Sequence, residues 1–128
     1  MSNTVLLIED NQDLSEIISD GILAAGDTPV AVYSRTRALH VLRTTPCELI
    51  ILDYDIPDLD AAAFLAELKG PYPAIPVLIL TAQPSRVTFN SQVVAVLERP
   101  FSLNRLLGKV DLILHQDLDR SFLRKNSA

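Results

Sequence analysis

Two short apolar runs that lead directly into acidic residues constrain the fold of this chain most. Residues 5–8 lead into Glu9 and Asp10, and residues 49–52 lead into Asp53. If both runs are neighbouring strands of a parallel sheet, three carboxylates meet at one edge of it. Like charges about 4 Å apart repel by roughly 4 kcal/mol near a protein surface. Folding alone gives no reason for this crowding, whereas a divalent cation, a proton or a ligand would relieve it.

The rest of the chain alternates between apolar runs and segments with helical periodicity. The first helical segment carries apolar residues at three-to-four spacing, namely Leu14, Ile17, Ile18, Ile22 and Ala25. Gly26 follows this segment at a typical C-terminal position. The last carries a clear apolar stripe of Leu103, Leu106, Leu107, Val110, Ile113 and Leu114. The predicted strands are residues 5–8, 28–33, 48–53, 75–80 and 93–97. The predicted helices are capped by Asn11 or Asp13, Ser34, Asp60 and Ser102.

Strands that alternate with helices indicate parallel pairing through right-handed crossovers. We therefore expect a three-layer, doubly wound α/β domain with a five-stranded parallel sheet, spanning residues 1–116. Residues 117–128 are expected to extend the last helix and to form a polar tail. Pro29 places the second strand at an edge of the sheet. The segment between the fourth and fifth strands has no helical period, so the fourth helix of the pattern should be short or missing.

Composition excludes several classes of function. The chain has 128 residues, a net charge of −5 and no basic stripe, which argues against direct nucleic-acid binding. Cys47 is the only cysteine, so no internal disulfide can form, and a structural thiol is the favoured interpretation. No signal peptide and no apolar run of membrane-spanning length are apparent. The expected location is cytoplasmic.

Polar residues follow four of the predicted strands at their carboxyl ends. Open sheets of this kind bind ligands beyond those ends. One acid after a strand is usually a solvated loop residue, but five polar residues at one edge predict a site: Glu9, Asp10, Asp53, Thr81 and Arg99.

These residues lie in motifs that resemble the receiver domain of two-component response regulators. The resemblance extends from residue 4 to about residue 115 and implies a flavodoxin-like strand order of 2-1-3-4-5. Each motif alone is weakly specific, whereas their joint order is strongly specific. The matching pieces are Leu7-Ile8-Glu9-Asp10-Asn11, Leu52-Asp53 with Pro57, Leu80-Thr81-Ala82 and Arg99-Pro100-Phe101.

The resemblance implies a role for each member of the site. Asp53 would accept a phosphoryl group from a phosphohistidine, and Thr81 would donate a hydrogen bond to that group. Mg²⁺ would be held by Glu9, Asp10, Asp53 and the backbone carbonyl of Asp55. The side chain of Asp55 is expected to serve only the turn, as are Asp58 and Asp60.

Three departures from the family pattern are visible. Arg99 stands where the family has lysine; it either grips phosphate or pairs with Glu98 or with a carboxylate of the site. The resemblance itself implies that the bond between Arg99 and Pro100 is a candidate for the cis form. Val96 stands where a switching aromatic is usual, so that switch is expected to be absent. The reduced fourth helix is the third departure.

The favoured function is a stand-alone phosphoacceptor, not an enzyme beyond slow self-dephosphorylation. Its partners would be a histidine kinase or histidine phosphotransfer protein and a downstream protein target. The alternative is a pseudo-receiver that binds partners without phosphate. A phosphatase of the haloacid-dehalogenase type, with Asp53 and Asp55 as nucleophile and acid, is disfavoured because no later strand supplies its metal ligands.

The remaining candidates are weaker. His40 and His115 are interpreted as ordinary surface or half-buried residues, not as ligands or phosphodonors. If the last helix continues to about Leu123, its apolar residues could form a homodimer contact. A frayed tail is an equally good interpretation.

Overall fold

The alternating pattern predicts a five-stranded parallel sheet, and the resemblance to receiver domains predicts its strand order. The computed structural model describes residues 2–115. Its five strands are parallel and lie in the order β2-β1-β3-β4-β5, which confirms the predicted topology. Their bounds are β1 Thr4–Ile8, β2 Thr28–Val32, β3 Leu49–Asp53, β4 Val77–Thr81 and β5 Val93–Glu98. Residues 116–128, with the predicted helix extension and tail, lie outside the described part.

Four α-helices cover the sheet among the described residues. They are α1 Gln12–Ala24, α2 Arg35–Thr44, α3 Ala61–Leu68 and α4 Leu103–His115. All four begin after a side chain that accepts a hydrogen bond from a first-turn amide, namely Asn11, Ser34, Asp60 and Ser102. The first of these decides between the two caps predicted for α1. No helix in residues 2–115 is long and apolar enough to cross a membrane.

Alternate side chains along the strands pack into two separate hydrophobic cores, one on each face of the sheet. Leu6, Ile8, Ile50 and Leu52 face α2 and α3 in the first core. Val5, Leu7, Leu49 and Ile51 face α1 and α4 in the second. All eight side chains are fully buried. Burial on both faces explains why these strands are continuous apolar runs.

The connection between β4 and β5 contains no α-helix. Residues 82–92, here called the crossover, hold a single 3₁₀ turn, Pro84–Arg86, as predicted. The Tyr54 hydroxyl accepts a hydrogen bond from the Thr88 amide at 3.3 Å. Gln92 is buried and donates to the carbonyls of Tyr72 and Ile75. Contacts from other elements therefore replace the internal bonds of a helix.

The buried face of helix α1 differs at one position from the apolar face that the sequence predicts. Ile18 and Ile22 are buried as expected, but Ile17 is 50% exposed. A helix of 3.6 residues per turn cannot point both Ile17 and Ile18 directly at a flat sheet, and Ser15 takes the remaining inward position. Gly26 ends the helix with φ of 90°, a conformation that glycine adopts without steric cost.

Candidate functional site

The first feature of the site is an acidic cluster, defined here as Glu9, Asp10 and Asp53. Strands β1 and β3 are hydrogen-bonded neighbours with Ile8 opposite Leu52, so the acids that follow meet at one edge. One carboxylate oxygen from each residue lies within 4.8 Å of the others. Glu9 and Asp53 are buried, whereas Asp10 is exposed. The crowding expected from the sequence is therefore present.

Glu9 is the most perturbed acid of the cluster. Burial, together with a hydrogen bond to Asp53 and the charge of that residue, raises the pKa of Glu9 to about 8. The amide of Asn11 donates to Glu9 Oε2 at 3.2 Å and, with Arg99, opposes this rise. Without a bound cation, Glu9 therefore holds a proton at neutral pH, which relieves part of the repulsion.

Arg99 is the cation of the site. It follows β5 and precedes a cis peptide bond to Pro100, as predicted. Its Nη2 atom lies 3.0 Å from Asp53 Oδ2 and 3.3 Å from Glu9 Oε1. Of the alternatives left open by the sequence, the structure shows pairing with carboxylates of the cluster. Burial alone would lower the pKa of Arg99, but Asp53 and Glu9 raise it above its usual value, so the charge is permanent.

Thr81 is fully buried at the end of β4, where its hydroxyl reaches the site edge. Its Oγ1 donates a hydrogen bond to Asp55 Oδ1 at 2.7 Å, and the amide of Ala82 donates to Asp55 Oδ2 at 2.8 Å. Sequence reasoning assigned Asp55 only a backbone carbonyl. An acid two residues after a strand is common in turns, so no sequence signal identified this contact.

The backbone next to Asp53 also orients it. The Asp55 amide donates to Asp53 Oδ1 at 2.8 Å, while Oδ2 faces Arg99. A cleft of about 520 Å³ beside α1 and β2 opens on Glu9 and Asp10. Two of the three members of the acidic cluster therefore line a cleft that is open to solvent.

Other residues singled out from the sequence lie away from this edge. Val96 is buried in the core that packs against α2 and α3. Cys47 is buried, and burial raises the pKa of its thiol, consistent with a structural role. His40 is exposed. His115 lies 2.7 Å from the buried carboxylate of Asp27, a contact that the sequence analysis missed because 88 residues separate the two.

The donor set suits a hard divalent cation. Carboxylate and carbonyl oxygens with access to water are the ligands that Mg²⁺ takes, and the repulsion within the cluster favours a cation there. The nearby Arg99, Thr81 hydroxyl and Ala82 amide are donors suited to an anion. A cation site beside an anion site on one sheet edge is suited to phosphoryl transfer.

Relatives of this chain are response regulators. The chain is 40% identical over 82 residues to the response regulator protein FleR of Pseudomonas aeruginosa PAO1, a match covering 64% of this chain and 17% of FleR. It is 35% identical over 116 residues to the transcriptional regulatory protein HprR of Escherichia coli K12, covering 88% of this chain and 52% of HprR. The chain thus spans about half of HprR and less of FleR.

Solved structures with the same fold include receiver domains. The chemotaxis response regulator CheY4 of Vibrio cholerae superposes with a TM-score of 0.77 at 19% identity, covering 89% of this chain and all of that one. The beryllofluoride-activated NtrC4 receiver domain dimer gives a TM-score of 0.75 at 20% identity, covering 88% of this chain and 97% of that one. The family model of the response regulator receiver domain matches residues 5–111, which confirms the resemblance. The chain belongs to the response regulator receiver domain family.

Proposed function

We propose that this domain accepts a phosphoryl group onto Asp53 from a phosphohistidine, in the presence of Mg²⁺, and signals through protein contacts. The observation that carries the proposal is the position of Asp53, which is buried beside two further acids and paired with Arg99 at 3.0 Å. A carboxylate held among acids and one fixed cation is suited to be a nucleophile toward phosphorus once a metal balances the charge.

In the proposed reaction, a carboxylate oxygen of Asp53 forms a bond to phosphorus as the bond from phosphorus to the imidazole nitrogen breaks. The imidazole keeps that electron pair. Mg²⁺, held by Glu9, Asp10, Asp53 and the backbone carbonyl of Asp55, would neutralise charge on the phosphoryl oxygens when bound. The Asp55 amide and Arg99 hold the Asp53 carboxylate from two sides before the reaction.

The transferred group needs hydrogen-bond donors within the same edge of the sheet. Thr81 supplies a hydroxyl from a fully buried position, so its location is set by β4. Arg99 supplies a permanent charge on the side of β5. Charge-assisted hydrogen bonds of this kind are about twice as strong as neutral ones. In this proposal, Thr81 and Arg99 bind the phosphoryl group, and Asp53 carries it.

The experiment is incubation with acetyl phosphate or a phosphohistidine donor and Mg²⁺, followed by intact-mass measurement. We expect one phosphoryl adduct on the wild type and no adduct on Asp53→Asn. If Mg²⁺ is chelated before the donor is added, we expect no adduct on the wild type either. Asp58→Asn is the matched control, because Asp58 is an exposed acid of the loop that follows Asp53. An equal adduct on wild type and Asp53→Asn, or none on either, contradicts the proposal.

The proposed partners are a histidine kinase or histidine phosphotransfer protein upstream and a protein target downstream. Membership in the receiver family supports the upstream partner. Stand-alone action, the absence of nucleic-acid binding, a homodimer through the last helix and a cytoplasmic location stay predictions. The pseudo-receiver alternative is not favoured, because the acidic cluster, Thr81 and a cation are all in place.

A further inference from the structure

The carboxylate of Asp55 already fills an anion site. Thr81 Oγ1 donates to one of its oxygens at 2.7 Å, and the Ala82 amide donates to the other at 2.8 Å. Arg99 Nε lies 3.6 Å from Asp55 Oδ2. A hydroxyl, an amide and a guanidinium thus converge on one side chain.

This anion site lies directly beside the phosphoacceptor. One guanidinium spans both acids, since Arg99 Nη2 contacts Asp53 at 3.0 Å while its Nε faces Asp55. The Asp55 amide also bonds to Asp53 Oδ1. A phosphoryl group on Asp53 brings three strong acceptor oxygens into this space. Thr81, Ala82 and Arg99 are donors there, and all three already face the Asp55 carboxylate.

We propose that the Asp55 side chain is an internal competitor for the phosphoryl-binding donors, so that phosphorylation exchanges one anion for another at Thr81 and Ala82. The inference rests on the proposed function and adds a residue that sets how readily the site accepts phosphate. In this exchange no covalent bond of Asp55 changes. Its carboxylate leaves the two donors, and the phosphoryl oxygens replace it.

The burial pattern indicates which partner moves. Thr81 is fully buried and fixed at the end of β4, whereas the Asp55 side chain is 36% exposed. The carboxylate can rotate into water, where its charge is solvated, but the Thr81 hydroxyl cannot follow it. The Asp55 carboxylate is therefore the group expected to move into water, and the donors change their acceptor.

A purely structural role for Asp55 makes the opposite prediction. If the carboxylate only satisfies the Thr81 hydroxyl and holds the loop, its removal disorders the donors and weakens binding of any anion. If it competes, its removal frees donors that β4 still holds in place. The sign of the change in affinity for a phosphoryl mimic separates the two roles.

The test is a titration of the full chain with beryllofluoride at saturating Mg²⁺. The amide NMR signals of Thr81 and Ala82 monitor binding. Asp55→Ala removes the competing carboxylate and keeps the backbone carbonyl assigned to the metal. We expect roughly tenfold or more tighter apparent binding, since one charge-assisted interaction no longer has to be displaced. Asp55→Asn removes the charge and one of the two acceptor oxygens but keeps the other, and it should give a smaller gain. Asp58→Ala, the matched loss of an exposed acid from the same loop, should bind like the wild type.

Binding by Asp55→Ala that is equal to or weaker than that of the wild type overturns the inference. If Asp55→Ala does not fold, the same comparison with the near-isosteric Asp55→Asn decides. The proposed function is checked separately by the adduct on wild-type Asp53. An adduct there without any gain in the Asp55 variants refutes the competition alone, whereas no adduct on the wild type together with no mimic binding in any variant refutes both.

Discussion

The buried Glu9 carboxyl should make the metal-free protein lose stability as the pH rises through neutrality. Its pKa is about 8 in the folded state, against an ordinary value of 4.5. The folded state therefore binds one proton more than the unfolded state between these values. The stability from this group is fully present below pH 4.5 and is lost as the pH rises to about 8.

The size of the effect follows from linkage. One proton of difference changes the free energy of unfolding by about 1.4 kcal/mol per pH unit. Between roughly pH 5.5 and 7.5, where the difference is most of one proton, the expected loss is about 2–3 kcal/mol. Glu9→Gln keeps the size and hydrogen-bonding groups of the side chain but has no proton to lose, so this part of the slope should vanish.

The assay is urea unfolding of both proteins across this pH range in the presence of a chelator. Far-ultraviolet circular dichroism is the suitable signal, because the chain contains no tryptophan. All other ionisable groups are common to the two proteins, so the difference between them isolates Glu9. Equal pH slopes for wild type and Glu9→Gln would refute the reasoning. If the cluster binds Mg²⁺ as proposed, saturating Mg²⁺ should flatten the wild-type slope, since the bound ion keeps Glu9 ionised.

Three further predictions concern stability, each measured by urea unfolding. Leu106→Ala should cost about 2–5 kcal/mol, because this fully buried side chain of α4 packs on the sheet and its loss leaves a cavity; a cost well under 1 kcal/mol would contradict that packing. Asp60→Ala should cost about 1 kcal/mol through loss of the α3 cap, and Asp60→Ser should restore most of it. Burial alone would raise the pKa of Asp27, but the hydrogen bond to His115 helps to lower this pKa below its ordinary value of 3.8. The ionised Asp27 side chain therefore stabilises the fold above pH 3.8, and this stabilisation is lost as the pH falls through the lowered pKa. Asp27→Asn should therefore be less stable than the wild type at neutral pH, and the gap should close in acid; a gap independent of pH would show that the charge is irrelevant.

The sheet and its site edge could be predicted because they depend on local patterns. Continuous apolar runs indicate strands buried on both faces, and the acids that follow them must then meet at the carboxyl edge. The missing helix in the crossover was also visible, since residues 82–92 lack any helical period. The cis bond at Pro100 was implied by family resemblance alone.

The contacts that the sequence did not reveal join residues far apart in the chain. The hydrogen bond from Thr81 to Asp55 spans 26 residues, and the pair of His115 with Asp27 spans 88. Neither has a periodicity or a spacing that distinguishes it from an ordinary turn or helix residue. The exposure of Ile17 was missed for a different reason. The apolar pattern does not show which of two adjacent apolar residues, Ile17 or Ile18, faces the sheet.

The sequence by itself determined the alternation of strands and helices and the two-faced burial of the sheet, because both follow from apolar periodicity. The crowding of Glu9, Asp10 and Asp53 required in addition that β1 and β3 be neighbours, which the family resemblance implied and the sheet shows. Only the tertiary structure decided the protonation of the acids at that edge of the sheet and the hydrogen-bond partners of their neighbours. Burial depth gives Glu9 its raised pKa, and the side-chain geometry gives Arg99 its acid partners and places Asp55 on the donors of Thr81 and Ala82. These depend on distances of a few ångströms between separate strands, and such distances exist only once the sheet has formed.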